Sequence, residues 1–352
     1  MGRIDRFMKQ AAVLAVLMGI LAGCGNASSG AEEEAETDGR DQIEIGMIFD
    51  NFVMERWQRD RDVFVSTAKE LGAEVNVQNA NSSVEEQIVL MDYFIEKKVD
   101  VIVLVPIDSA PLVPSVKKAK EAGIKVIAYD RMVVGAEPDL YISFDNRKVG
   151  TLMAQALCEN LSRDDKVLMI CGPVTDHNVT EVEAGFKEIM EQRHIEIVDI
   201  CYAEGWRPEC AASYIRQNGA IAGEIKGLMC GNDNLAGQAV SALAEQRLAG
   251  KVYVAGQDAD LAACQRIMEG TQYMTVYKPV EKQAAQAARG AVELALGTEM
   301  TTDVYLTEDG AEIPYIRLEP IGVTAENMQE IIIDGGFHLK EDVYLNRPDL
   351  LE

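Results

Sequence analysis

The sequence is poor in histidine, tryptophan and positive charge. Its 352 residues include three histidines, His177, His194 and His338, and none is spaced with another to hold a metal ion. The 33 Lys and Arg stand against 58 Asp and Glu, a net charge of −25, so no basic surplus remains to neutralise phosphates and nucleic acid is excluded as a partner. No G-x-G-x-x-G follows the first apolar run, no G-x-x-x-x-G-K-[ST] occurs, and no G-x-S-x-G elbow is present. Dinucleotide, P-loop and serine-hydrolase chemistry therefore lack their motifs. None of the seven cysteines forms a C-x-x-C pair. Cys158, Cys171, Cys201, Cys210, Cys230 and Cys264 fall mostly in apolar stretches and read as buried thiols, with Cys201 and Cys210 the one pair left open.

Long hydrophobic runs are missing too. Ala11–Leu21 is too short to span a bilayer comfortably, but it follows Arg3, Arg6 and Lys9 and precedes small residues, the pattern of an export signal. Leu21-Ala22-Gly23-Cys24 resembles the lipobox of bacterial lipoproteins, which implies cleavage after residue 23 and lipidation of Cys24. Residues 24–41, rich in Gly, Ser, Ala and Glu without periodicity, read as an acidic flexible tether. The expected location is extracytoplasmic, anchored to the cell membrane.

From Ile43 onward short apolar runs alternate with amphipathic stretches, and the runs end in polar residues. Ile45–Asn51 ends in Asp50-Asn51, Val101–Asp108 in Asp108, Val126–Arg131 in Asp130-Arg131, and Tyr141–Asn146 in Asp145-Asn146. Later runs end in Asn232-Asp233, Gln257-Asp258 and Lys278. Buried strands with polar carboxyl ends are what an open α/β sheet shows where it meets a ligand. Helices are expected over Arg56–Leu71, Val84–Lys98 and Leu112–Ala122, with Ser83 capping the second. The rhythm restarts after Asp145. The fold class is thus α/β, two doubly wound parallel-sheet lobes in tandem, with a ligand held between them.

A small polyol needs carboxylates as acceptors, guanidinium or ammonium groups as donors, and amides as both, while an indole can receive the apolar face of a sugar ring. The loops supply Arg56, Asp130, Arg131, Asp176, Asn178, Trp206, Asn232, Asp258 and Lys278. Each has a plainer reading. Arg56 lies in a run of charges that fits a solvated helix face, Asp130-Arg131 could be a helix cap and a surface charge, and Asn232-Asp233 could only cap the helix at Leu235. Asp130 with Asp258 could hydrolyse a glycoside, but these acids stand among many ligand-binding groups, which favours binding over catalysis.

Several strings carry a family resemblance. Glu55–Phe64 (ERWQRDRDVF), Ala128–Met132 (AYDRM), Tyr141–Asn146 (YISFDN), Ala255–Leu261 (AGQDADL), Gly270–Gln272 and Met274–Pro279 (MTVYKP) resemble, in order along the chain, the D-xylose-binding proteins of bacterial ABC transporters, a type I periplasmic sugar-binding family. The resemblance implies two lobes joined by three crossings, placed near Phe144–Asp145, Tyr277 and Glu308–Glu312. The first lobe would comprise 42–144 and about 278–310, the second 145–277 and about 311–352. It also implies a sugar held by the positions matching Arg56, Asp130, Arg131, Asn178, Trp206, Asn232, Asp258 and Lys278. Asp176-His177-Asn178 departs from the family's usual Asp-Asn-Asn. The implied protein is a monomer without cofactor or metal, and its partners are a monosaccharide (xylose or a related pentose or hexose), an ABC transporter permease, and the membrane through the lipid. A sugar-sensing partner of a membrane kinase or chemoreceptor is the alternative. A transcriptional regulator of similar lobes would need a DNA-binding headpiece where this chain has a leader and tether.

Overall fold

The computed structural model describes residues 42–307 and 310–351. The expected leader, Cys24 and tether lie outside the described residues.

The first lobe begins with β1 (Ile43–Phe49), α1 (Glu55–Glu70), β2 (Ala73–Asn79), α2 (Val84–Lys97), β3 (Val101–Leu104), α3 (Ser109–Glu121), β4 (Lys125–Tyr129) and β5 (Leu140–Phe144). β3, β4 and β5 are apolar almost throughout because both faces of the sheet are covered there, whereas the edge strand β2 mixes in polar residues. Ile45, Met47, Phe49, Val101 and Val103 pack with α1, whereas Ile48, Ile102 and Leu104 pack on the opposite face with Met91 and Phe94 of α2 and Leu112 and Val116 of α3. Ser83 caps α2 as its position suggests, Oγ accepting from the Glu86 amide at 3.1 Å.

After β5 the chain enters the second lobe: α4 (Asn146–Cys158), β6 (Lys166–Cys171), α5 (His177–Arg193), β7 (Glu196–Tyr202), α6 (Glu209–Gln217), α7 (Gly219–Glu224), β8 (Gly227–Cys230), α8 (Asp233–Glu245), β9 (Tyr253–Gln257), α9 (Leu261–Glu269) and β10 (Met274–Tyr277). It then returns to the first lobe as α10 (Val280–Leu296), whose Ala284, Ala287, Ala288 and Ala291 join the α1 face of the core, followed by the hairpin β11 (Asp303–Leu306) and β12 (Glu312–Leu318). The chain finally crosses to β13 (Ile321–Thr324) and a C-terminal segment packed on the second lobe through Met328, Ile332 and Phe337.

The first sheet runs β11-β12-β5-β4-β3-β1-β2 and the second β13-β10-β9-β8-β6-β7. Within each, all neighbours are parallel except the β11–β12 and β10–β13 pairs.

One expected boundary is corrected. The third crossing lies between Leu318 and Ile321 rather than near Glu308–Glu312, and 312–318 belongs to the first lobe. Tyr315 to Leu318 pair in parallel register with Tyr141 to Phe144. Ile313, Tyr315 and Leu318 are buried, near the alternation of a strand with one face on the core. Pro320, which has no amide hydrogen to offer a ladder, stands where the strand stops. The cysteine pair also resolves: Cys201 and Cys210 are free, as are Cys158, Cys171, Cys230 and Cys264. Among the described residues no helix is long and apolar enough to cross a membrane.

Candidate ligand-binding cleft

Parallel strands point their carboxyl ends the same way, so the loops leaving each sheet gather at one edge. The two edges face each other across a cleft, and all nine residues singled out from the sequence line it. Arg56 comes from the first turn of α1, and Asp130-Arg131 from the end of β4. Across the cleft, Asp176 caps α5, Asn178 follows it, Trp206 sits in the loop after β7, Asn232 caps α8, and Asp258 ends β9. Lys278 lies just after β10, where the chain crosses back. Asp108 and Asp145, strand-end residues of the same pattern, instead cap α3 and α4.

The plainer readings of Arg56 and Asp130-Arg131 do not hold. Arg56 is 4% exposed, Asp130 and Arg131 5% each, so these charges are buried and must be paired. Arg56 Nη1 lies 2.9 Å from Asp130 Oδ1 and 3.9 Å from Asp258 Oδ1, and Nη2 lies 3.2 Å from Asp60 Oδ1. Arg131 spans the lobes, with Nη1 2.8 Å from Asp50 Oδ2 and Nε 2.8 Å from Asp176 Oδ2. Lys278 Nζ stands 2.7 Å from Asp258 Oδ1, an ion pair without hydrogen-bond alignment. Asn232 caps α8 and also lines the cleft: Oδ1 accepts from the Leu235 amide at 2.9 Å, while Nδ2 reaches Met54 Sδ of the other lobe at 3.7 Å.

These neighbours set the charge states. Burial would push the Asp130 carboxyl up, but Arg56, Lys278 and Arg131 together hold it below the ordinary range. At Asp60 burial prevails over Arg56 and raises the pKa to about 6. Asp176 is also raised, burial outweighing Arg131. Burial opposes the Arg56 charge, yet Asp130, Asp60 and Asp258 keep the guanidinium protonated well above its ordinary value.

Trp206 has a left-handed backbone (φ 57°) and donates its indole N–H to Asp176 Oδ2 at 3.2 Å. The ring lies over Gly172 and Gly231, at the ends of β6 and β8, and a Cβ on Gly172 would overlap it. Three site residues, Asp130 (66°), Trp206 and Asp258 (97°), thus hold positive φ without being glycine. Such conformations cost on the order of 1–3 kcal/mol each and gather at functional sites.

Some of the cleft lining escapes the strand-end pattern. Trp57 also lines the cleft, so both tryptophans of the chain face it, one from each lobe. Its place among apolar helix positions hid this; adjacency to Arg56, whose Cζ lies 4.3 Å from the ring centroid, was the available signal. Gln257 and Asn146 line the cleft as well, both at strand ends already noticed. Gln257 Oε1 and Trp57 Nε1 are buried polar atoms without a hydrogen-bond partner among the described residues. Behind the surface Asp60 accepts from the Tyr129 hydroxyl, and Gln283 of α10 accepts from Arg56 at 2.8 Å. His177 does not line the cleft: Nε2 lies 2.6 Å from Tyr305 Oη of β11.

This donor and acceptor set can hold several hydroxyls at once between two indoles. Residues 45–299 match the family described as periplasmic binding protein domain. The chain is 42% identical over 308 residues, 86% of its length and 93% of the relative's, to the D-xylose-binding periplasmic protein of Escherichia coli. To the protein of the same description from Haemophilus influenzae it is 39% identical over 308 residues, 86% of this chain and 92% of that one. An ABC transporter solute-binding protein from Clostridium phytofermentans, solved with bound β-D-glucose, has the same fold, with a TM-score of 0.76, 23% identity, and coverage of 85% of this chain and 99% of that one.

Proposed function

This chain belongs to the periplasmic binding protein family, and from that premise we propose that it captures a monosaccharide, D-xylose first, between its lobes and delivers it to the permease of an ABC transporter. It is a binding protein, not an enzyme. The observation that carries the proposal is the cleft itself: two tryptophans on opposite lobes flank buried, mutually paired carboxylates and cations. Xylose is favoured because the chain is 42% and 39% identical to two D-xylose-binding proteins over nearly their whole length.

The sugar stabilises the closed state by touching both lobes. Arg56, Asp130 and Arg131 act from the first lobe, Asp176, Asn178, Trp206, Asn232 and Asp258 from the second, with Lys278 at a crossing. Hydrogen bonds to charged groups net about 1.5–3 kcal/mol each. Less the cost of closure and ordering, a dissociation constant near micromolar, about −8 kcal/mol, is expected. A wrong epimer leaves buried groups unpaired at about 1–3 kcal/mol each, which gives selectivity. Cys24 carries the lipid that keeps the protein at the outer face of the cell membrane, where it acts as a monomer.

Calorimetric titration with D-xylose, then glucose, galactose, arabinose and ribose, tests the reading. One-to-one xylose binding with weaker competitors is expected. Heat only from another sugar moves the specificity, and no heat from any of them overturns sugar capture. Delivery is tested by xylose uptake in cells lacking the protein. The anchor is tested by fatty-acid labelling, which Cys24→Ala should abolish.

A further inference from the structure

Asp233 directly follows Asn232, is 1% exposed, and does not itself line the cleft. Its carboxylate is turned instead toward the loop that carries Asp258. Oδ1 accepts from Gln272 Nε2 at 2.8 Å. Oδ2 accepts from Thr275 Oγ1 at 2.7 Å and from the Asp260 amide at 3.1 Å. Thr275 Oγ1 in turn accepts from the Ala259 amide at 3.2 Å. Arg266 closes the network, donating to Gln272 Oε1 at 3.0 Å and to the Asp233 carbonyl at 2.9 Å.

The loop needs such restraint. Asp258 (φ 97°) and Ala259 (φ 55°) are consecutive left-handed residues, neither of them glycine, and a chain free to relax would leave that region. Of the three amides in succession, that of Asp258 bonds to the Val276 carbonyl in the neighbouring strand. The next two, Ala259 and Asp260, are held by Asp233, one through Thr275 and one directly. The sheet makes room for this: a Cβ on Gly256, two residues before Asp258, would overlap Asp233 Oδ1.

We infer that Asp233 is the positioning residue for Asp258, holding the strained turn that aims the Asp258 carboxylate at Lys278, Arg56 and the sugar. The inference rests on the sugar-binding reading of the cleft, and the wild-type xylose titration tests that reading separately. Asp233→Asn keeps the size but replaces one acceptor oxygen by a donor, which must face the Gln272 amide, or the Thr275 hydroxyl and Asp260 amide. In this variant the xylose Kd should rise tenfold or more at a temperature well below its Tm. Hydrogen exchange should quicken in a peptide covering 257–260 but not in peptides from β1 to β5, which a general loss of stability would also quicken. A folded variant with Kd within threefold of wild type overturns the inference, as does weaker binding without faster exchange in the turn. If Asp233→Asn does not fold, Thr275→Val, which cuts the route to the Ala259 amide, is judged by the same two measurements and the same criteria.

Discussion

Asp130 and Asp258 stand at matching places in two different sheets, and Arg56 lies against both. Each ends the fourth strand from the β2 or β7 edge, each has positive φ, and each amide bonds to a carbonyl of the next strand, Ile142 and Val276 respectively. The two lobes have no obvious residue-level repeat, yet they deliver the same carboxylate to opposite walls of one cleft. Arg56 Nη1, 2.9 Å from one and 3.9 Å from the other, then bridges the lobes.

Asp258→Ala removes the partner of Lys278 and one of the Arg56 contacts. Breaking a buried pair costs about 3–5 kcal/mol because a charge is left uncompensated. Loss of measurable xylose binding in calorimetry is expected, with a folded circular dichroism spectrum. Undiminished affinity would remove Asp258 from the site.

Gly172→Ala should act through Trp206. The added methyl overlaps the indole, so the ring must leave its seat over β6 and β8 and its bond to Asp176. Xylose affinity is expected to fall at least tenfold, about 1.4 kcal/mol. An unchanged Kd would show that Trp206 holds no sugar in that position.

Arg131→Lys keeps the charge but loses the fork. Arg131 meets Asp50 and Asp176 through separate nitrogens at 2.8 Å, one carboxylate in each lobe, and a lysine presents one point charge. A loss of about 1.5–3 kcal/mol in sugar affinity, the worth of one charged hydrogen bond, is expected. A lysine variant that binds like wild type would show that bridging the lobes contributes nothing.

Asp60 makes stability depend on pH. Its folded pKa, about 6, exceeds the ordinary 3.8, so between these values the folded chain binds a proton that the unfolded chain does not. This contribution is fully present below pH 3.8 and is lost as pH rises through 6, a swing of about 3 kcal/mol. Asp60→Asn lacks the titration. Relative to wild type it should therefore gain on the order of 3 kcal/mol between pH 4 and pH 7, read by denaturant unfolding of both proteins. A difference that does not change with pH would show that Asp60 keeps its ordinary pKa.

Much of the polar lining of the cleft was legible because strand-end polar residues obey a local rule. A buried apolar run of four or five residues can be recognised by itself, and the residues just after it must lie at the sheet's carboxyl edge. Asp130, Asn232, Asp258 and Lys278 came from that rule. Trp57 did not, since an indole on the inner side of a helix looks the same whether it meets core or cleft. The β12 boundary failed for a related reason: Ile313, Tyr315 and Leu318 would suit either sheet, and only their pairing with β5 assigns them.

The sequence by itself determined the alternation of strands and helices, the absence of metal, dinucleotide and P-loop motifs, and the stock of charged groups that had to be paired once buried. These come from periodicity and composition, which are local. Tertiary structure alone decided that Arg56 serves three carboxylates, that Arg131 ties the lobes, that His177 turns to Tyr305, and that Asp233 braces a turn 25 residues away in the chain. Those pairings set residues distant in sequence at hydrogen-bond distance, and which partners meet depends on how the two sheets stack and face, information no short window of sequence contains.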